Sequence, residues 1–311
     1  MTPDASPLAN GDGSEDRRRR LAAVLRQVRL LEIRSRHLVT EVLAGQYSSA
    51  FRGRGVEFAD VREYAPGDDV RTIDWRVTAR MDTAYVRRYV EERELTVIFL
   101  IDYSASAAFG SRVRTKEELA TEVCAVLAMT AVRSNDRVGA VLFTDRVEKF
   151  ILPKRGKRHA LRIIRELLAF QPHGTRTDLA MALDFVNRVL RRRAVVFVVS
   201  DWIAADYQQP LEDLARRHDA VAIQLVDARE RELPAVGLLT LRDPETGRSR
   251  TIDASSRAVA EQLRRRATAF DAALERSLRR EGVGHIRLQT DRSYVTSLLS
   301  YFQAREHGRR R

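Results

Sequence analysis

At 311 residues, with 44% hydrophobic and 32% charged residues, the chain has the composition of a folded globular protein with ample material for a core. No apolar run approaches the roughly 18–20 residues of a membrane span, the first residues lack a signal-peptide core, and the single cysteine, Cys124, excludes a disulfide framework or a cysteine-rich zinc site. A cytoplasmic protein is the expectation. The net charge is +12, but all except four of the 55 Lys and Arg residues are arginine, a bias that codon preference explains as readily as phosphate binding; the clusters at 17–20, 191–193, 264–266 and 309–311 lack the interleaved aromatics of a nucleic-acid surface.

Residues 1–14 are small and polar and read as a disordered tail. Residues 15–46 form an N-terminal helical segment in which Leu21, Val24, Leu25, Val28, Leu31, Ile33 and Val39 recur at helical spacing, ending near Gly45. Residues 47–94 are a module of unusual composition. Pro66-Gly67 marks a tight turn, Asp68 or Asp69 is placed to cap a short helix running through Trp75 to Ala79, and Arg71, Asp74, Arg76 and Arg80 are charged partners around Trp75. From 83 to 94 the chain alternates as an extended strand.

Residues 95–305 form the main domain, and 306–311 a basic tail. The domain opens with an apolar run at 95–101 that reads as a strand buried on both faces of a parallel sheet. Helix Lys116–Arg133 follows, and Cys124 in its apolar stretch is expected to be a buried structural thiol. Strands are expected at 136–144 and 147–152, a helix at 157–169, a loop at 171–178 and a helix at 179–192. Then come strand 194–201, helix 211–217, strand 220–226, a hairpin at 237–252 around Pro244-Glu-Thr-Gly247, helix 256–281, strand 285–288 and helix 294–305. This alternation implies an α/β fold with a doubly wound, mostly parallel sheet.

The chemistry gathers at strand ends. Asp102, Ser104 and Ser106 follow the first buried strand at alternate positions, so a carboxylate and two hydroxyls can turn toward one point. A small hard cation takes such oxygen ligands; a Ser-rich turn capping the next helix would use the same residues. Asp201 ends another apolar strand, and Gly174-Thr-Arg-Thr177 opens a helix between the two. Loops after neighbouring strands of a doubly wound sheet converge on one crevice. One cation there could take Ser104, Ser106 and Thr177 directly, with Asp102 and Asp201 bound directly or through water.

These residues resemble the metal-ion-dependent adhesion site of von Willebrand factor A domains. Upstream, Tyr64-x-Pro66-Gly67-Asp68-Asp69-x-Arg71-x-Ile-Asp74-Trp75-x-x-x-Ala-Arg80 is similar to the signature of the bacterial "domain of unknown function 58" family. The resemblance spans about residues 50–305 and departs in the threonine loop, where many such domains carry Gly-Gly-Thr; Thr177 is the favoured ligand and Thr175 the alternative. It implies a sheet of von Willebrand factor A type, a bound Mg²⁺ or Mn²⁺, and work alongside a MoxR-type AAA+ ATPase in chaperone-like assembly or activation of client proteins. The chain itself has no Gly-x-x-x-x-Gly-Lys-Ser/Thr loop. The expected function is a non-enzymatic, metal-dependent protein-binding module gripping an exposed Asp or Glu of a partner. The alternatives are a metal-dependent hydrolase with His173 as the nearest base, or an Arg-rich scaffold binding nucleic acid or anionic lipid without metal.

Overall fold

The computed structural model describes residues 30, 41–51, 57–81, 83–90, 94–110 and 113–309. Expectations for residues 1–14, and for the helical pattern before residue 41 apart from Leu30, lie outside the described residues. In chain order the elements with described bounds are helix α1 (Glu41–Phe51), strand β1 (Glu57–Glu63), helix α2 (Trp75–Met81) and strand β2 (Tyr85–Val90). The main sheet opens with β3 (Thr96–Asp102), α3 (Lys116–Arg133), β4 (Arg137–Phe143), β5 (Val147–Lys154), α4 (Lys157–Ala169) and α5 (Leu179–Val189). It continues with β6 (Val195–Ser200), α6 (Gln208–Arg217) and β7 (Asp219–Val226). A hairpin, β8 (Leu238–Arg242) and β9 (Ser249–Asp253), precedes α7 (Arg257–Arg280), β10 (Gly284–Gln289) and α8 (Tyr294–Arg309).

The six-stranded sheet runs β10-β7-β6-β3-β4-β5. Its strands are parallel except β5, which pairs antiparallel with β4. Counted from β3 and leaving aside the separate hairpin, this is the doubly wound order 3-2-1-4-5-6, which reverses between β3 and β6. Strand alternation explains the two cores. Val97, Phe99 and Ile101 of β3 face a layer with α1, α3, α4 and α8, while Ile98 and Leu100 face α5, α6 and α7. Both faces are apolar, so the strand reads as an unbroken hydrophobic run. Cys124 is a free, buried thiol within the first core.

Three local expectations change. The N-terminal helical pattern does not stop at Gly45, since α1 continues to Phe51. Tyr47, Ala50 and Phe51 are buried there, each large ring contributing about 1.5–3 kcal/mol, which outweighs one helical glycine at about 1 kcal/mol. The cap of α2 is Asp74, whose carboxylate accepts from Arg76 N at 3.0 Å. Asp69 instead caps a single 3-10 turn at residues 70–72, accepting from Arg71 N at 2.9 Å. Finally, α5 ends at Val189, where the Leu190 N–H closes the last turn on Val186 O.

Candidate metal centre

The carboxyl ends of β3 and β6 meet where the strand order reverses. β3 delivers Asp102, and the chain then turns through Ser104 into a short 3-10 turn at residues 105–108. The Asp102 carboxylate accepts from Ser104 N at 2.9 Å and from Ser200 Oγ at 2.8 Å. Ser104 Oγ lies 3.1 Å from Ser106 Oγ, and Ser106 Oγ donates to Asp201 Oδ2 at 3.0 Å. Four of the five residues expected from sequence are therefore joined in one network. Asp201 is aimed by a sharp exit from β6. Trp202 holds a left-handed backbone (φ 66) and is fully buried, with its N–H donating to Ser200 Oγ at 3.0 Å. A bulky residue in that region costs on the order of 1–3 kcal/mol unless its surroundings enforce it.

Thr177 enters from the neighbouring loop. Ala105 N donates to Thr175 O at 2.8 Å, so the threonine loop lies against the serine loop, and Thr175 is engaged through its carbonyl. Gly174 permits this approach, because a Cβ there would collide with the Thr144 and Asp145 side chains. Asp178 caps α5, accepting from Met181 N at 2.8 Å. The Thr177 hydroxyl donates to Glu245 Oε1 at 2.8 Å. A cleft of about 490 Å³ opens above, with Ser106 and Asp201 on its floor and residues 243–245 of the β8–β9 turn on its wall.

Three further residues join the candidate site in the structure. Lys116, at the first turn of α3, is buried, and its ammonium donates to Asp201 Oδ2 at 2.8 Å and to Glu230 Oε1 at 2.5 Å. Burial works against that charge, but the carboxylates of Asp201 and Glu230 more than offset it and hold the Lys116 pKa above its ordinary value. A faint signal existed, since Lys116 is one of only four lysines in a chain that otherwise uses arginine. Glu230 and Glu245 gave none.

The donor set fits a small hard cation. Oxygens held about 2.1 Å from one octahedral centre lie about 3.0 Å from their neighbours; the Ser104–Ser106 and Ser106–Asp201 hydrogen bonds of 3.1 and 3.0 Å have that length, so a cation could replace their shared protons without moving the oxygens apart. Charge points the same way. Asp201 and Glu230 share one ammonium, and the Asp102 carboxyl is pushed up to about 6, first by burial and then by the Asp201 charge. Among the described residues no group of three or more His, Cys, Asp or Glu is arranged to hold a metal, so a cation here depends on hydroxyl oxygens. His173 is exposed and bonded to Glu148 at 3.1 Å.

The upstream signature makes a structure of its own. Pro66 and Gly67 form a turn, with Gly67 at φ 109. Asp68 accepts two bonds from Arg62, at 2.6 and 2.8 Å, and one from Ala65 N at 2.9 Å. Asp69 and Asp74 cap as described above, and Arg71 and Arg80 are exposed. Trp75 is 66% exposed.

Among the described residues no helix is long and apolar enough to cross a membrane. A BatB protein of Bacteroides thetaiotaomicron shares 13% identity and a TM-score of 0.44, over 68% of this chain and 99% of that one. The SpRpn10 VWA domain shares 12% and 0.37, over 67% and 94%. In sequence, an uncharacterized protein of Mycobacterium tuberculosis is 33% identical over 294 residues, 93% of this chain and 91% of that protein. One of Mycobacterium avium is 34% identical over 163 residues, 50% of this chain and 95% of that protein. The profile described as "Protein of unknown function DUF58" matches residues 60–273. The chain belongs to that DUF58 family.

Proposed function

We propose that this protein is a non-enzymatic, cation-dependent binding module that grips an acidic side chain of a protein partner. The observation that supports this most is the run of oxygens Ser104 Oγ, Ser106 Oγ and Asp201 Oδ2, spaced at 3.1 and 3.0 Å as neighbouring ligands of one small cation are. Ser104, Ser106 and Thr177 would supply hydroxyl ligands, with Asp102 and Asp201 as the carboxylates. A bound Mg²⁺ or Mn²⁺ supplies a Lewis-acidic position at the cleft floor for an outside carboxylate. Neutral hydroxyls leave more of the ion's charge uncompensated than an all-carboxylate cage does.

The family resemblance suggests the partner, a MoxR-type AAA+ ATPase or the client it acts on. A pull-down from native lysate in Mg²⁺ and in EDTA, with Asp102→Ala alongside, tests this. Capture of an AAA+ ATPase or an acidic client by wild type in Mg²⁺ alone is the expected result. Capture indifferent to EDTA and to the substitution would sink the cation bridge and turn attention to the exposed Trp75 surface.

A further inference from the structure

The β8–β9 hairpin has an odd construction. Among the described residues its strands pair only with each other, and a lone two-stranded hairpin is marginally stable in water. Most of its side chains are exposed, Leu238 by 78%. The tip, by contrast, is tightly organised. Asp243 N donates to Arg248 O and Gly247 N to Asp243 O, both at 2.8 Å. The Asp243 carboxylate accepts from Glu245 N at 3.0 Å and from the Thr246 hydroxyl, and Gly247 takes φ 71 to close the turn. A weakly anchored arm thus carries a preorganised end.

That end presents a carboxylate to the candidate centre. Glu245 Oε1 accepts from Thr177 Oγ1 at 2.8 Å and Oε2 from Thr177 N at 3.3 Å. Helix capping does not explain the contact, because Asp178 already caps α5. Glu245 also shares the cleft with Ser106 and Asp201. A carboxylate reaching in beside hydroxyl ligands is the chemical group this site would receive from outside.

We propose that Glu245 is the site's internal ligand, so that an external acidic side chain binds only by displacing the β8–β9 hairpin. This rests on the reading of the site as a cation-and-carboxylate receptor. A hairpin closed about nine-tenths of the time lowers the apparent affinity of an outside carboxylate about tenfold. Short-tether competitors act at millimolar effective concentrations, so even a weak internal contact suffices. Pro244 and the Asp243 turn hold Glu245 ready to rebind when the outside ligand leaves.

The test uses the full chain, with Glu245→Gln and Glu245→Ala as separate variants. Mn²⁺ binding is titrated first by calorimetry, then glutarate binding in saturating Mg²⁺, with amide hydrogen exchange followed across residues 238–253. The expected result is Mn²⁺ affinity lowered by no more than about tenfold in Glu245→Ala, as the loss of one carboxylate that closes nine-tenths of the time allows, glutarate bound about tenfold more tightly by Glu245→Ala than by wild type, and faster hairpin exchange in wild type when glutarate is added. Equal glutarate affinity in all three proteins overturns the internal ligand and leaves the receptor reading standing. Loss of Mn²⁺ affinity in Glu245→Ala, without a gain in glutarate affinity, also overturns it, since Glu245 is then a fixed cation ligand. If none of the proteins binds Mn²⁺, the receptor reading falls and the internal ligand with it.

Discussion

The sheet domain and the upstream module break the usual rule of burial in opposite directions. In the sheet domain, Lys116, Asp102 and Asp201 are 1%, 3% and 7% exposed, although such residues stay outside unless paired. In the module, Val70, Trp75 and Met81 are 60%, 66% and 56% exposed, with Arg71, Arg76 and Arg80 exposed beside them. A buried charge and a bare tryptophan are the informative exceptions. The first region spends stability to hold a polar cluster, and the second leaves apolar surface uncovered. The difference teaches that the chain places its exceptional residues in two ways, charged groups buried at the strand ends of the sheet and apolar groups left bare on the upstream module.

The comparison breaks most sharply at Lys116. Lys116→Met leaves Asp201 and Glu230 without their buried cation and is expected to cost about 3–5 kcal/mol in urea denaturation, part of it recovered in Mg²⁺. A variant as stable as wild type would mean that the interior cluster does not depend on this ammonium.

His218 tests the same interior through pH. It is buried, Ala194 N donates to its Nδ1 at 3.3 Å, and its pKa is lowered to about 4, by burial first and then by Arg217 and Arg193. The unfolded chain takes up this proton near the ordinary value of about 6.5, whereas the folded chain resists it until about 4. The unfolded state therefore binds more protons in that window. The share of the stability that depends on His218 is expected to be intact above about pH 6.5 and to fall by up to about 3 kcal/mol toward pH 4, opposed over the same window by Asp102, whose carboxyl, raised to about 6, takes up a proton more readily in the folded chain. The difference in denaturation midpoint between wild type and His218→Gln, followed across this range, checks it.

Gly174→Ala comes next, because its Cβ would meet Thr144 and Asp145. A loss of about 1–3 kcal/mol, together with weaker Mn²⁺ binding, is expected as the threonine loop is pushed off the serine loop. The smallest effect belongs to the other region. Trp75→Ala is expected to change stability by no more than about 0.5 kcal/mol while reducing partner capture in the pull-down. A large stability loss there would mean that the ring is covered in the folded protein and would erase the contrast.

Legibility from sequence follows the range of the interaction. The buried strand at 96–102 was readable because a strand covered on both faces leaves an unbroken apolar run. Asp102, Ser104, Ser106 and Asp201 were readable because the sheet places strand ends together whatever their separation along the chain. The cap of α2 was misplaced because Asp68, Asp69 and Asp74 all precede short helical turns, and local rules do not choose among such registers. Lys116 looked like any polar first-turn residue. Pro244-Glu-Thr-Gly247 was recognisable as a hairpin turn, but local pattern says nothing about where a hairpin points. The partner of Glu245, Thr177, lies 68 residues away.

The docking of α1 carries a consequence for how the protein is made. Arg305 of α8 donates to Ala50 O at 3.0 Å across 255 residues and stacks 4.6 Å over the Phe51 ring, while Phe302 packs edge-on against Phe51 and Tyr47. Ribosomes add about 5–20 residues per second, so α1 emerges on the order of ten to fifty seconds before the helix that covers it. During that interval its rings have no final resting place. Helix α1 leaves the ribosome early yet is among the last elements to dock, and translation of α8 sets the moment at which the first core closes.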